Sequence, residues 1–176
     1  MNHPNSNDPE SDDLLKYLEN SGITARTFAH PSVHTVEESR ALRGDIPGVH
    51  TKNLFLRDSK KRFFLFITDE ARTVNLKSLG KLIGAKGGLS FGSAEALMET
   101  LGIPAGSVSV LAAFNDKDKK VTVVIDDALL TAAAINCHPL TNRRTTSLTR
   151  TDIETFLKAT GHMPVYISLD VAPENS

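Results

Sequence analysis

"GVHTKNLFLRDSKKRFFLFITD", residues 48–69, is the stretch from which the fold is read. Two strand-like runs flank the tight polar turn "RDSKKR", so 49–69 predicts a β-hairpin. In the first run His50, Lys52, Leu54 and Leu56 share one face, and Thr51, Asn53, Phe55 and Arg57 share the other. The leucines mark the first face as core-facing. A lysine in step with them sits at the mouth of the sheet, and two readings are open. Its ammonium is partly desolvated and meets an anion or carbonyl oxygens, or its stem packs while its head snorkels to water.

Outward from the hairpin, helices and strands alternate irregularly. Ser11 is positioned to cap a helix carrying Leu14, Leu15 and Leu18 and ended by Gly22. "ITARTFAH" alternates as a strand. Thr35 with Glu38 forms a capping box for a short helix stopping at Gly44. "NLKSLGKLIG" is a one-sided apolar helix, and "AKGGLSFGS" is an irregular glycine-rich segment whose backbone could cradle a phosphate. Ser93 caps a helix closed by Gly102. "SVSVLAAF" and "KVTVVIDD" flank "NDKDK" and predict a second hairpin, followed by a short apolar helix near 127–133. "INCHPLTNRRTTSL" reads as strand, loop and strand. Thr151 and Glu154 make a capping box for a helix ending at Gly161, and "VYISLD" is a last strand. This is not the regular βαβα order of a doubly wound sheet. The expected class is α+β: a mixed, mostly antiparallel, β-barrel-like sheet surrounded by helices. Residues 1–10 are expected to be a disordered acidic tail and 11–171 a single domain.

Composition supports a globular chain. Of 176 residues, 40% are hydrophobic and 23% charged, enough to build a core without staples. The one cysteine, Cys137, has no internal partner, which points to a reducing compartment. The polar, acidic N-terminus has no apolar stretch of a secretory signal, and "VTVVI" or "ALLTAAAI" is far too short to span a bilayer. A cytoplasmic protein without a membrane partner is expected. Net charge is −1, but residues 50–90 carry nine Lys or Arg against three acids. A locally basic face on a near-neutral chain suits one end of an RNA, or is an ordinary solvated surface.

Familiar catalytic signatures are missing: no G-x-x-x-x-G-K-[ST], G-x-S-x-G, H-E-x-x-H or C-x-x-C. The six histidines are scattered, so neither a metal site nor a cofactor is expected. Cys137 beside His138 suggests a nucleophile and its base. Adjacent strand residues point to opposite faces, however, so Cys137 reads as a small buried hydrophobe. His138, followed by Pro139, ends a strand and is either structural or functional.

Four stretches together resemble the free-standing prolyl-tRNA editing proteins of the YbaK/ProX superfamily: "GVHTKNLFLRD", "LSFGSAEALMETLGIPAGSVS", "NCHPLTNRRTT" and "GHMPVYISLD". The resemblance covers about residues 12–170. It implies a trans-editing deacylase that hydrolyses mischarged aminoacyl-tRNA, most simply Ala-tRNA of the proline type, by positioning substrate and water without a protein nucleophile. It places the family's lysine on Lys52, the neighbouring asparagine on Asn53 and the pocket histidine on His138. Ser90, Gly106 and Ser107 fall in substrate-binding stretches, the last two in "GSVSV", where Val110 replaces the proline of the superfamily's G-x-x-x-P loop. Asn53 points away from Lys52 in an ideal strand, so a shared role would need a bulge. Lys60, Lys61 and Arg62 are candidate RNA contacts. The implied partner is mischarged proline-type tRNA, with prolyl-tRNA synthetase as a second candidate. Two alternatives are a deacylase for another misacylated residue, such as Cys-tRNA(Pro), and a tRNA-binding module without chemistry.

Overall fold

In the computed structural model, residues 8–32, 37 and 46–170 are described. The hairpin forms as expected. Strand β2 (Val49–Asp58) pairs antiparallel with β3 (Phe63–Asp69) in an unbroken register from Thr51↔Asp69 to Arg57↔Phe63. The other strands are β1 (Arg26–Ala29), β4 (Leu89–Phe91), β5 (Val121–Asp126), β6 (Ile135–Cys137), β7 (Arg144–Leu148) and β8 (Val165–Ile167). They build one eight-stranded sheet in the order β1-β7-β6-β2-β3-β5-β8, with β4 also on β2. Antiparallel pairs (β1–β7, β6–β7, β2–β3, β2–β4) mix with parallel ones (β2–β6, β3–β5, β5–β8). The class is the expected mixed α+β. The sheet, however, is open: β1 and β8 lie at its two ends and do not pair, so barrel-like curvature stops short of closure.

Both faces of the sheet's centre are covered, which is why "FFLFI" in β3 reads as a continuous apolar run rather than an alternating one. Leu65 and Ile67 face the main core, against α1 (Pro9–Asn20), α3 (Ala94–Leu101) and α4 (Arg150–Thr160). Phe64 and Phe66 face a smaller core with Leu56 and Leu79, the latter on α2 (Leu76–Leu82). α2 begins where the Asn75 side chain accepts the Ser78 N–H, and α3 where Ser93 accepts that of Ala96. Gly102 closes α3 at φ +65°.

Three local expectations are corrected. The second hairpin does not form: Val110–Asn115 is a 3₁₀ helix, and β5 pairs in parallel with β3 and β8 instead. "VLAA" is buried on every side, so its apolar run carries no period to separate helix from strand, and Ser109 caps it by accepting the Leu111 N–H. α1 opens at Pro9, where the fixed φ of proline suits a first turn, and Ser11 lies buried inside the helix rather than capping it. α4 opens two residues early, with Thr149 and Asp152 forming the capping box in place of Thr151 and Glu154. The predicted Thr35–Gly44 helix and most of the N-terminal tail lie outside the described residues.

Candidate active site

Strand register decides what each site residue faces. His50 pairs with Asn136, Asn136 with Ser147, and Lys52 with Thr68. Opposed residues share a face, and so do alternate residues of one strand. His50, Lys52, Thr68, Asn136 and Thr145 therefore occupy one end of the face that α2 covers at its other end. That face is apolar from Leu54 onward and polar before it.

His138 leaves β6 directly after Cys137. Its Nδ1 lies 3.0 Å from the Arg144 carbonyl oxygen, and since a carbonyl only accepts, Nδ1 carries the proton. Its ring centroid lies 6.4 Å from that of His30, whose Nε2 is 2.8 Å from Thr145 Oγ1. Lys52 and His138 are thus carried by neighbouring strands on the same polar half-face.

Lys52 is half-buried, and its ammonium donates to the Arg72 carbonyl just past β3. Among the described residues no carboxylate pairs with it. The buried Asp126 nearby is already engaged: it accepts Thr68 Oγ1 at 2.7 Å and the Ala128 N–H at 3.1 Å, and lies 3.5 Å from Arg72 Nε. Arg72 also holds Asp170 at 2.7 Å, and the Asp170 hydrogen bond raises the pKa of the guanidinium further. The lysine is therefore held by a carbonyl oxygen rather than by a carboxylate.

Asn53 faces the other way, because the β2–β3 register contains no bulge. Its Oδ1 accepts the Val110 N–H at 2.9 Å, and its Nδ2 donates to Thr51 Oγ1 at 3.2 Å. Thr51 Oγ1 in turn donates to the Asn136 carbonyl at 2.8 Å. Asn53 thereby pins the end of the Gly106–Val110 stretch to the strand that carries Lys52. At the start of that stretch, a Cβ on Gly106 would lie 3.6 Å from Asn142 Nδ2, and Asn142 Oδ1 accepts Ser32 Oγ at 2.9 Å. Ser107 is buried in the short 3₁₀ turn Ala105–Ser107. Segments far apart in sequence, around 30–32, 106–110 and 138–145, converge at this end of the sheet.

Other candidates lie elsewhere. Ser90 is exposed on β4 opposite Arg57, five residues and about 17 Å along β2 from Lys52. Lys60, Lys61 and Arg62 form the hairpin tip beyond it. Lys60 and Lys61 are exposed, while Arg62 is committed to Asp58 (2.6 Å) and the Gly84 carbonyl (3.0 Å). Burial alone would raise the Asp58 carboxyl. Hydrogen bonds from the Lys86 and Arg62 backbone N–H groups and the Arg62 guanidinium outweigh it and lower the pKa to about 2. Gly87 is fixed by packing and backbone: its φ is +71°, and a Cβ there would lie 2.4 Å from the Ser59 hydroxyl. Cys137 is buried, and burial pushes its thiol up to about 12 despite the Thr51 hydroxyl 3.7 Å away. It is a neutral core residue, as the strand alternation implied.

Sequence reasoning missed His30, Asn142 and Thr145. Their contacts join residues about 110 positions apart, and neither spacing nor periodicity signals that.

Comparisons with known proteins bear on the family and the fold. A zebrafish (Danio rerio) protein named prolyl-tRNA synthetase associated domain-containing protein 1 is 38% identical over 160 residues, covering 90% of this chain and 86% of its own length. The prolyl-tRNA editing protein ProX of Acetoanaerobium sticklandii is 35% identical over 152 residues, covering 85% and 91%. A crystal structure described as a candidate trans-editing enzyme for prolyl-tRNA synthetase superposes with a TM-score of 0.71 at 19% identity, over 93% of this chain and 99% of that one, a likeness of fold. The family pattern itself matches residues 30–156, which include Lys52, Asn53, Gly106 and His138, and the chain belongs to the aminoacyl-tRNA editing domain family.

Proposed function

We propose that the protein is a trans-acting deacylase that hydrolyses alanine from mischarged proline-type tRNA. The observation that carries this reading is Lys52: a half-buried ammonium on a strand, tied to one backbone carbonyl, with no carboxylate partner among the described residues. An ammonium has three donors and one is used by Arg72. The remaining two suit anionic oxygens, and the terminal phosphate and the ester of a tRNA 3′ end supply them.

No nucleophile is needed. An aminoacyl ester is already activated, and the neighbouring ribose hydroxyl helps to place water and stabilise the developing oxyanion. Cys137, neutral and buried, is not positioned to attack. His138 donates from Nδ1 to the Arg144 carbonyl, so in the neutral ring Nε2 is an acceptor, suited to orient water or the aminoacyl group. Asn53 supports the substrate loop from behind rather than touching substrate. Selection against proline is by size. A synthetase pocket gains only about 1–3 kcal/mol per missing methylene in rejecting alanine, so a second, smaller site is the economical filter. Alanyl-tRNA of the alanine type carries the same residue, so the acceptor end must be read too.

The test is deacylation of alanyl-, cysteinyl- and prolyl-tRNA(Pro) by the wild type, Lys52→Ala, His138→Ala and Cys137→Ala. The expected result is release of alanine alone, abolished by Lys52→Ala, reduced by His138→Ala and retained by Cys137→Ala. Preferential release of cysteine transfers the activity to that substrate. Binding without release in all three identifies a tRNA-binding module and ends the deacylase reading.

A further inference from the structure

Four of the phenylalanines, Phe55, Phe64, Phe66 and Phe156, are buried, but Phe91 is 63% exposed. Its exposure is built in. Phe91 is held in register opposite Leu56 at the end of β4. The next residue, Gly92, donates its N–H to the Phe55 carbonyl at 2.9 Å, and a Cβ on Gly92 would lie 2.4 Å from the Phe55 ring. Glycine there brings the β4 end hard against β2. Ser93 then starts α3, fixing the chain on the other side.

Opposition to Leu56 puts Phe91 on the face that carries Lys52, four residues along the same strand, about 13 Å away. In the other direction lies the basic hairpin tip. Lys60, Lys61 and Lys86 are all exposed there, the last tied in by its N–H to Asp58 and its carbonyl to Ser59. An exposed aromatic ring on a rigid strand thus stands between a cluster of cations and a half-buried ammonium.

We infer that Phe91 is a stacking platform for a base of the unpaired 3′ strand of the RNA, seated between the Lys60–Lys61–Lys86 cluster and Lys52. The inference rests on the tRNA reading above and adds a recognition residue to it. The exposed Lys60, Lys61 and Lys86 beside the ring supply the cations that a phosphate backbone needs where its base stacks. The ring supplies the sequence-tolerant stacking that single-stranded nucleic acid seeks.

The experiment measures fluorescence anisotropy of an uncharged acceptor-stem RNA hairpin ending in its unpaired 3′ nucleotides, and of the same RNA trimmed to a blunt end. Wild type is compared with Phe91→Ala, Phe91→Leu and Phe91→Trp, and sedimentation reports oligomeric state. With the intact end, Ala and Leu are expected to weaken binding about 5- to 150-fold, the worth of one base–aromatic stack, while Trp retains it. With the blunt RNA all four proteins should bind alike. Equal binding of the intact end by wild type and Ala, full rescue by Leu, or no binding by wild type overturns the inference. So does a wild-type dimer that Ala dissociates, which assigns the ring to self-association. Because the RNA is uncharged, a wild type that binds it but hydrolyses no ester sinks the deacylase reading and leaves this one standing.

Discussion

Replacing Asn53 with alanine isolates what holds the Gly106–Val110 stretch in place. The carboxamide oxygen accepts the Val110 N–H at 2.9 Å, and Val110 is fully buried, so deletion orphans a backbone donor where water does not reach. An unsatisfied buried donor costs about 1–3 kcal/mol. Loss of the 3.2 Å bond to Thr51 adds little, because Thr51 Oγ1 keeps its own bond to the Asn136 carbonyl. A loss of about 2 kcal/mol is expected, which for a domain of this size lowers Tm by about 4–8 °C. Under the proposed activity, kcat/KM should fall further than folding alone explains, since the loop is released while Lys52 stays in place. Urea unfolding gives the stability change, and deacylation at a temperature where the variant is fully folded gives the kinetic one. Asn53→Asp separates the two amide groups: it keeps an acceptor for Val110 but turns an oxygen toward Thr51 Oγ1, whose hydrogen is already committed. A stability change under about 0.5 kcal/mol together with wild-type kinetics for Asn53→Ala would refute the pinning role.

Asp58 gives a pH signature. Its folded pKa is depressed to about 2, so its stabilisation is present above the ordinary carboxylate range, near pH 4, and is lost as pH falls from there toward 2. Asp58→Asn should flatten the stability profile between pH 4 and 2; an unchanged acid limb in denaturant titrations counts against the carboxylate's role in the turn. For the hairpin tip, Lys60→Glu with Lys61→Glu should weaken tRNA binding and make the slope of log K against log salt shallower by about 1–2, the signature of one or two lost phosphate contacts. Arg62 is left in place because it ties Asp58 to the Gly84 carbonyl, and its reversal would break the turn itself. An unchanged slope would remove the tip from the RNA path.

The hairpin was legible because its turn is short and its two strands carry both of the sheet's apolar faces. The capped helices after Asn75 and Ser93 were legible for the same kind of local reason. The 110–115 segment was not: a run buried all round looks alike as 3₁₀ helix or strand, and only the parallel partner β3, far back in the sequence, decides that β5 has no hairpin mate. The site divides in the same way. Alternation placed Lys52 on one face and Asn53 on the other, and the unbroken register bears that out. That Asn53 would reach forward to the Val110 N–H, or that His30 would approach His138, depends on loops meeting across more than fifty residues of chain. Phe91 shows a different blindness. Composition suggests that a phenylalanine belongs in the core, and only the placement of β4 beside Leu56 shows that this one lies 63% exposed.

The split face explains how a fold of this size keeps a polar site without weakening its core. From Leu54 to Leu56 the strand contributes to a small apolar core under α2, while two residues earlier the same face holds Lys52. A lysine buried any deeper would need an anion from the protein; placed at the boundary, it takes from the protein only the Arg72 carbonyl, and Asp126 stays with Thr68 and Arg72. Removing the charge while keeping the stem should therefore be harmful to function and mild for the fold. Lys52→Met keeps the apolar stem and takes from the fold only the donor to the Arg72 carbonyl, while under the proposed chemistry it removes the cation that meets the RNA. A variant about as stable as the wild type but unable to deacylate is the expected trade; one that deacylates normally would mean that Lys52 holds nothing the substrate needs.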